Sequence, residues 1–354
     1  MAATNIKRII YFHERIDATA ERIKSKRSDM DMFRRDMADT GAEAWADMAR
    51  AHGYHASART EMRAPWFPDA ELLAKAPNML AICSLGAGYD VIDVDACTKA
   101  GILVCNQSGA NSEAVAEHAV GLMLAVSKKI VETDRIMRRQ NDIERFRYIG
   151  HELLGKTIGI IGVGNIGRRV AEICKLGFRM TVLGYDPYLS KQQMAARNAE
   201  KVELKELLQR ADYVTMHTPR TKETFGMIGY DELSLMKPTS YFINTSRGGT
   251  YKEEDLARAL RDKKILGAGI DVFLDEPPPM DHPLMAFENC IVTPHNAGST
   301  HEAHDNIAIY ASDQWMDIFD GKVPPRLINK EAWPHYSERF AKILGFRPEA
   351  LKEE

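Results

Sequence analysis

No apolar run in the 354 residues approaches the roughly 20 needed to span a bilayer, which argues against a helical membrane protein. Charge of one sign is not in excess. The formal net charge is −3, so there is no electrostatic footprint for nucleic acid or for an anionic membrane. Cysteine is scarce: Cys83, Cys97, Cys105, Cys174 and Cys290 form no C-x-x-C pair and read as reduced core thiols of a cytoplasmic protein. No cluster of His, Cys and Asp has zinc-ligand spacing, so no metal is expected. The opening MAATNIKRIIYFHERID has only a short apolar run cut off by charge and reads as no signal peptide. No repeat or low-complexity tract stands out. What is present, 45 % hydrophobic and 27 % charged residues, is ordinary globular composition, and the length favours two domains.

The most informative stretch is Lys156 to Gly167, KTIGIIGVGNIG. Thr157 to Ile161 reads as a buried parallel strand. Gly162-Val163-Gly164-Asn165-Ile166-Gly167 then has the G-x-G-x-x-G spacing, and Arg168 to Leu176 has helical apolar spacing. A second strand, Met180 to Tyr185, ends at Asp186. Gly162 permits the sharp turn, Gly164 lets a pyrophosphate approach the backbone, and Gly167 allows close helix packing. The pyrophosphate would rest on the helix N-terminus. Asp186 would bind the adenosine ribose hydroxyls and repel a 2′-phosphate, which favours NAD over NADP.

Strands alternate with helices along most of the chain, as in open parallel sheets with covered faces. Ligands bind such sheets at the carboxyl ends of the strands. The residues that follow the strands are therefore the candidates: His217-Thr218-Pro219, Thr245-Ser246-Arg247, Asp271 followed by Glu276, and Pro294-His295. Asp29 to His52 has a helical look, and Ser112 to Ile130 reads as one long apolar helix in which Glu117 and His118 form a structural pair. Arg59, Arg63 and Trp66 read first as solvated surface residues and, as the alternative, as contacts for the far end of a substrate.

Several ordered blocks resemble the D-isomer-specific 2-hydroxyacid dehydrogenase family: SLGAGYDVIDVDACTKAGI, NQSGANSEAVAEHAVGLML, GKTIGIIGVGNIGRRVA, INTSRGG, GAGIDVFLDEPP and VTPHNAGST. The resemblance implies two doubly wound parallel-sheet (Rossmann-type) α/β domains. A nucleotide domain, residues 125–300, is inserted into a flavodoxin-like substrate domain formed by residues 1–124 and 301–354. It implies NAD as cofactor and a homodimer. By the resemblance, Arg247 orients the substrate, Glu276 pairs with the histidine, and His295 donates the proton. Leu85, Gly86, Ala87 and Gly88 hold the substrate carboxylate, and Asp271 anchors the nicotinamide carboxamide. The charged stretch Ser25 to Ala49, the run Thr250-Tyr251-Lys252 and the tail His335 to Glu354 depart from the pattern.

The expected reaction interconverts a 2-oxo acid and its D-2-hydroxy acid. A fixed guanidinium suits the carboxylate and the polarised carbonyl. An imidazole suits proton delivery near neutral pH, and a neighbouring carboxylate stabilises its charged form. Candidate substrates are hydroxypyruvate, glyoxylate and 3-phosphoglycerate. Two alternatives share the fold: an NAD-sensing corepressor-like interaction protein, and formate oxidation, which is disfavoured because that branch has an amide where Glu276 stands.

Overall fold

The computed structural model describes residues 6–351. It divides into two units, Met1–Asn111 with His301–Glu354, and Ser112–Thr300. The first boundary thus falls at Ser112, not near residue 125. The cause is the helix Ser112–Ser127, whose Ala116, Ala119, Leu122 and Met123 are buried in the core of the second unit, against Ile158, Ile160 and Ile243.

The first unit carries a parallel five-stranded sheet: β1 (Lys7–Tyr11), β2 (Met30–Arg34), β3 (Gly53–Ala56), β4 (Ala81–Ser84) and β5 (Leu103–Cys105). Their order is β2-β1-β3-β4-β5, the flavodoxin-like order. The expected helix over Asp29 to His52 is corrected here. Met30–Arg34 is a strand, and only Ala42–Arg50 is helical. An edge strand needs few buried residues, and this one buries only Met30, so its charged sequence hid it. Asp69 and Asp93 cap the next two helices, accepting hydrogen bonds from Leu72 N and Ala96 N. Such caps are worth about 1 kcal/mol each. The tail is part of this unit: in the helix Trp333–Leu344, Trp333, Tyr336 and Phe340 are buried with Ile9, Leu80, Leu103 and Trp315.

The second unit carries β6 (Thr157–Ile161), β7 (Thr181–Tyr185), β8 (Glu200–Lys201), β9 (Tyr213–Met216), β10 (Tyr241–Asn244), β11 (Gly267–Ile270) and β12 (Cys290–Val292). All pair in parallel in the order β12-β11-β10-β9-β6-β7-β8. The direction of winding reverses between β6 and β9, and such a switch point is where a doubly wound sheet opens a crevice. Strands β9, β10 and β11 are buried throughout, as a sheet covered on both faces requires.

Candidate active site

The glycine loop leaves β6 at the switch point. Gly162 has φ +86°, and a Cβ there would lie 2.9 Å from the carbonyl oxygen of His217. Gly167, in the first turn of the helix Asn165–Gly177, has no room for a side chain, since a Cβ would lie 2.2 Å from Gly162 O. Gly164 is the opposite case, with nothing within 4 Å of an added Cβ. Two glycines make the loop tight and the third leaves its surface open, beside the first turn that begins with Asn165 and Ile166.

Asp186 follows β7. Its Oδ2 accepts the Val163 N–H at 3.1 Å and its Oδ1 accepts the Tyr188 N–H at 3.1 Å, so the carboxylate is tied to the glycine loop. Arg197, which was not among the candidates, donates to the Val163 carbonyl.

At the ends of β9 and β10, polar atoms are buried without partners among the described residues: His217 Nδ1, Thr218 Oγ1 and Thr245 Oγ1. The other His217 nitrogen, Nε2, lies 3.0 Å from Thr215 Oγ1, and burial pushes its imidazole down to about 3, so it is neutral at physiological pH. Pro219 is exposed and only its carbonyl is engaged, by Thr224 Oγ1 at 2.6 Å. Buried polar atoms without partners are costly in a folded chain. Three of them beside an open glycine loop fit a polar dinucleotide.

Arg247 sits on the turn after β10. Buried Asn244 organises this turn by accepting from Ser246 N at 2.9 Å and Ser246 Oγ at 2.7 Å, and by donating to Thr250 Oγ1 at 3.1 Å. Thr250 Oγ1 in turn donates to Arg247 O at 2.7 Å. Tyr251 OH donates to Val272 O at 3.1 Å. The run that departs from the family pattern therefore braces the Arg247 turn. Gly248 is indispensable, because a Cβ would lie 1.7 Å from Phe273 O. That contact presses the Arg247 turn onto the loop that carries Glu276.

Two carboxylates hold that loop. Glu276 Oε1 accepts the Phe273 N–H at 2.9 Å, and Glu253 Oε1 accepts the Leu274 N–H at 2.6 Å. Glu253 Oε2 lies 2.9 Å from His282 Nε2, and His282 Nδ1 accepts the Leu284 N–H at 3.3 Å. Glu253 and His282 were not foreseen; a second Glu–His pair in the same segment was the available signal.

Glu276 Oε2 lies 2.7 Å from His295 Nδ1. Burial alone would raise the Glu276 carboxyl. The hydrogen bond and charge of His295, the Phe273 N–H and the positive charge of Arg247 outweigh it and hold the carboxyl below its ordinary range. His295 has φ +53°, a left-handed backbone that costs a non-glycine residue on the order of 1 kcal/mol or more. Its N–H donates to Asp271 O at 2.8 Å and to Thr293 O at 3.1 Å, which fixes that conformation. The ring is exposed, and among the described residues Nε2 has no partner.

Asp271 is wholly buried. Its Oδ1 accepts from Thr293 Oγ1 at 2.6 Å and Asn296 N at 3.0 Å, and its Oδ2 from Ala297 N at 3.1 Å. The carboxylate therefore gathers the loop on both sides of His295. His118 belongs to this network and not with Glu117: its Nε2 is 3.2 Å from Thr293 Oγ1 and 3.7 Å from Asp271 Oδ1.

In the first unit, the carbonyls of the Leu85–Gly88 loop are pinned back. Gly86 O accepts from Gln107 N at 2.9 Å and Ser84 Oγ at 2.8 Å, and Ala87 O accepts from Asn106 Nδ2 at 2.7 Å. Among the described residues no acceptor takes the N–H groups of Gly86, Ala87 or Gly88. Trp66 is no surface residue: it is wholly buried and donates to Met37 O at 3.1 Å. Arg59 and Arg63 are exposed.

Residues 120–297 match the model of the NAD-binding domain of the D-isomer specific 2-hydroxyacid dehydrogenases, which identifies the cofactor as NAD. The chain is 38 % identical over 266 residues to a glyoxylate reductase of Korarchaeum cryptofilum, covering 74 % of this chain and 80 % of that one. It is 40 % identical over 253 residues to a D-3-phosphoglycerate dehydrogenase of Archaeoglobus fulgidus, covering 72 % of this chain but only 48 % of that longer one. Among solved structures, the D-lactate dehydrogenase from Aquifex aeolicus complexed with NAD and lactic acid superimposes with a TM-score of 0.77 at 27 % identity, over 91 % of this chain and 99 % of that one. Relatives that are reductases and dehydrogenases do not favour the sensing-protein alternative. The match over half the chain and the identity to these enzymes agree with the site geometry, and the chain belongs to the D-isomer specific 2-hydroxyacid dehydrogenase family.

Proposed function

We propose that this chain interconverts a small 2-oxo acid and its D-2-hydroxy acid with NAD(H), and that His295 carries the proton. The observation that supports this most is the 2.7 Å contact of His295 Nδ1 with Glu276, which leaves Nε2 outward and unpartnered among the described residues. Glycine-loop backbone, Asp186, Thr218, Thr245 and Asp271 hold the cofactor. When bound, the nicotinamide supplies the hydride.

This chain's residues do the rest. As negative charge grows on the substrate carbonyl oxygen, Arg247 stabilises it and protonated His295 delivers the Nε2 proton to that oxygen. Glu276 keeps the imidazolium oriented and stabilised until transfer. In the oxidative direction neutral His295 takes the hydroxyl proton back. The unpaired N–H groups of Gly86, Ala87 and Gly88 suit a carboxylate, and we assign them that end of the substrate. A His–Glu pair serves an alcohol proton, which formate oxidation lacks.

Hydroxypyruvate, glyoxylate and 3-phosphoglycerate remain the candidate substrates, and the exposed Arg59 and Arg63 are the basic groups we assign to a substrate phosphate. Arg59→Ala and Arg63→Ala, assayed on phosphorylated and plain 2-oxo acids, test this. Selective loss on the phosphorylated class supports a phosphorylated substrate, and equal losses on both contradict it.

We also propose a homodimer, a reading that exposed apolar side chains on one stretch of the second unit support. Ile130, Met137, Phe146, Ile149 and Leu154 are each more than half exposed, and the helix Ile130–Met137 buries none of its residues. Light scattering should give twice the chain mass, and Phe146→Asp with Ile149→Asp should halve it.

A further inference from the structure

The first unit also has a cavity of about 420 Å³ at the amino-terminal edge of its sheet, lined by Arg8, Arg50, His52, Asn78, Lys342 and Ile343. Arg8 lies at the start of β1, His52 directly before β3, and Asn78 just before β4. The Leu85–Gly88 loop follows the other end of β4. Four strand residues separate the two edges, roughly 13 Å at 3.3 Å per residue. The cavity is therefore distinct from the carboxylate-binding loop.

Its charge is one-sided. Three of the six lining residues are cations, and none is an acid, in a chain whose net charge is −3. The nearby acids are already taken. Asp47 pairs with Arg35 and Arg50, and Asp29 pairs with Lys7 and Arg27. Among the described residues Arg8 and Lys342 have no acidic partner. Arg339 adds a half-buried guanidinium close by, satisfied only by the Met79 and Pro77 carbonyls, and burial lowers its affinity for its proton. Two cations without acidic partners among the described residues, Arg8 and Lys342, thus face one concavity, and an anion bound there would offset both.

The polar groups suit a phosphoryl oxygen. Arg8 presents a planar guanidinium, the geometry that binds phosphate in a forked manner, while the Arg50 guanidinium is already engaged by Asp47 and adds its charge at the rim. His52 Nδ1 accepts the Arg8 backbone N–H at 3.0 Å, which leaves Nε2–H as the ring's donor. Asn78 Nδ2 donates to Ala49 O at 2.9 Å. Ile343 gives one apolar wall, and the volume exceeds what a bare phosphate fills. The tail helix supplies Lys342 and Ile343, so the segment that departs from the family pattern completes the cavity.

We propose that this open cavity, lined on one side by the C-terminal helix, is a second, non-catalytic site for a small phosphate monoester. Isothermal titration of the full chain at constant ionic strength tests it, with inorganic phosphate in one arm and glycerol 3-phosphate, which has no carboxylate to engage the Leu85–Gly88 loop, in the other. Wild type should bind glycerol 3-phosphate saturably, several-fold tighter than phosphate. Arg8→Gln and Lys342→Gln should each weaken binding about tenfold or more. Both variants should keep wild-type turnover and should not lower the melting temperature, since each removes one of several like charges. Lys342 is exposed, so its replacement leaves the fold intact even where Arg8→Gln perturbs β1. Absence of saturable binding in both arms, or equal affinities for wild type and Lys342→Gln, would overturn the proposal.

Discussion

At the scale of single residues, the chemistry depends on His295 and the groups that hold it. His295→Ala should lower turnover by about 10²- to 10⁴-fold, the range for removal of a positioned acid–base group. NADH binding, followed by quenching of protein fluorescence, should stay within about twofold of wild type. Glu276 gives a prediction in pH. Its carboxyl is held below the ordinary glutamate value of 4.5, so its interactions stabilise the folded state fully above that value and are lost as pH falls through the lower folded one. The melting-temperature gap between wild type and Glu276→Gln should thus shrink as pH falls from about 5 to below about 4. A gap independent of pH across that range would mean that the carboxylate charge contributes nothing. Asp186→Ala should weaken NAD and relax discrimination against NADP, read as the ratio of kcat/KM for the two cofactors. An unchanged ratio would show that the ribose end is recognised elsewhere. All three residues were legible in the sequence, because each chemistry-bearing side chain directly follows a strand or lies a few residues beyond one.

At the scale of elements, the determining contact is between two turns. Gly248 lets the Arg247 turn lie on the peptide at Phe273, and Gly248→Ala has no room for its methyl group. It should cost about 3 kcal/mol in urea unfolding, at the upper end of overpacking penalties. Glu253 is the less obvious case. It accepts from both Leu274 N–H and His282, and a glutamine offers only one oxygen for these two donors. Glu253→Gln should therefore leave one of the two donors without its acceptor, worth about 1 kcal/mol, and lower kcat with KM for NADH unchanged. His282→Gln, which keeps a donor, should do less harm than His282→Leu. This layer was not legible beforehand. Sequence spacing places residues at strand ends, but which backbone N–H a carboxylate finds depends on how two loops fold over each other. The same limit explains Asp271, whose carboxylate also gathers the loop around His295, and His118, whose partners are 153 and 175 residues away in sequence.

At the scale of the molecule, most strands were legible in the sequence, because buried parallel strands read as short apolar runs between helices, and the doubly wound arrangement came with the family resemblance. The edges were not. β2 was hidden by charge, and β8 has only two residues. The position of the first boundary was missed for a related reason: an apolar helix announces that it is buried, not which sheet buries it. The tail helix packs on its own chain, where Trp333, Tyr336 and Phe340 fill the first unit. Its removal should unfold that unit while leaving the second unit's NAD site to be probed separately. The central claim, reduction of a small 2-oxo acid by NADH with His295 as proton donor, is tested most directly by one measurement. NADH oxidation is followed by absorbance across a panel of phosphorylated and plain 2-oxo acids, with wild type and His295→Ala side by side. Wild type should turn over at least one acid, yielding the D-hydroxy product, and the variant should lose that turnover almost completely. Turnover that survives His295→Ala undiminished, or none with any acid while NADH binding is confirmed, would contradict the claim.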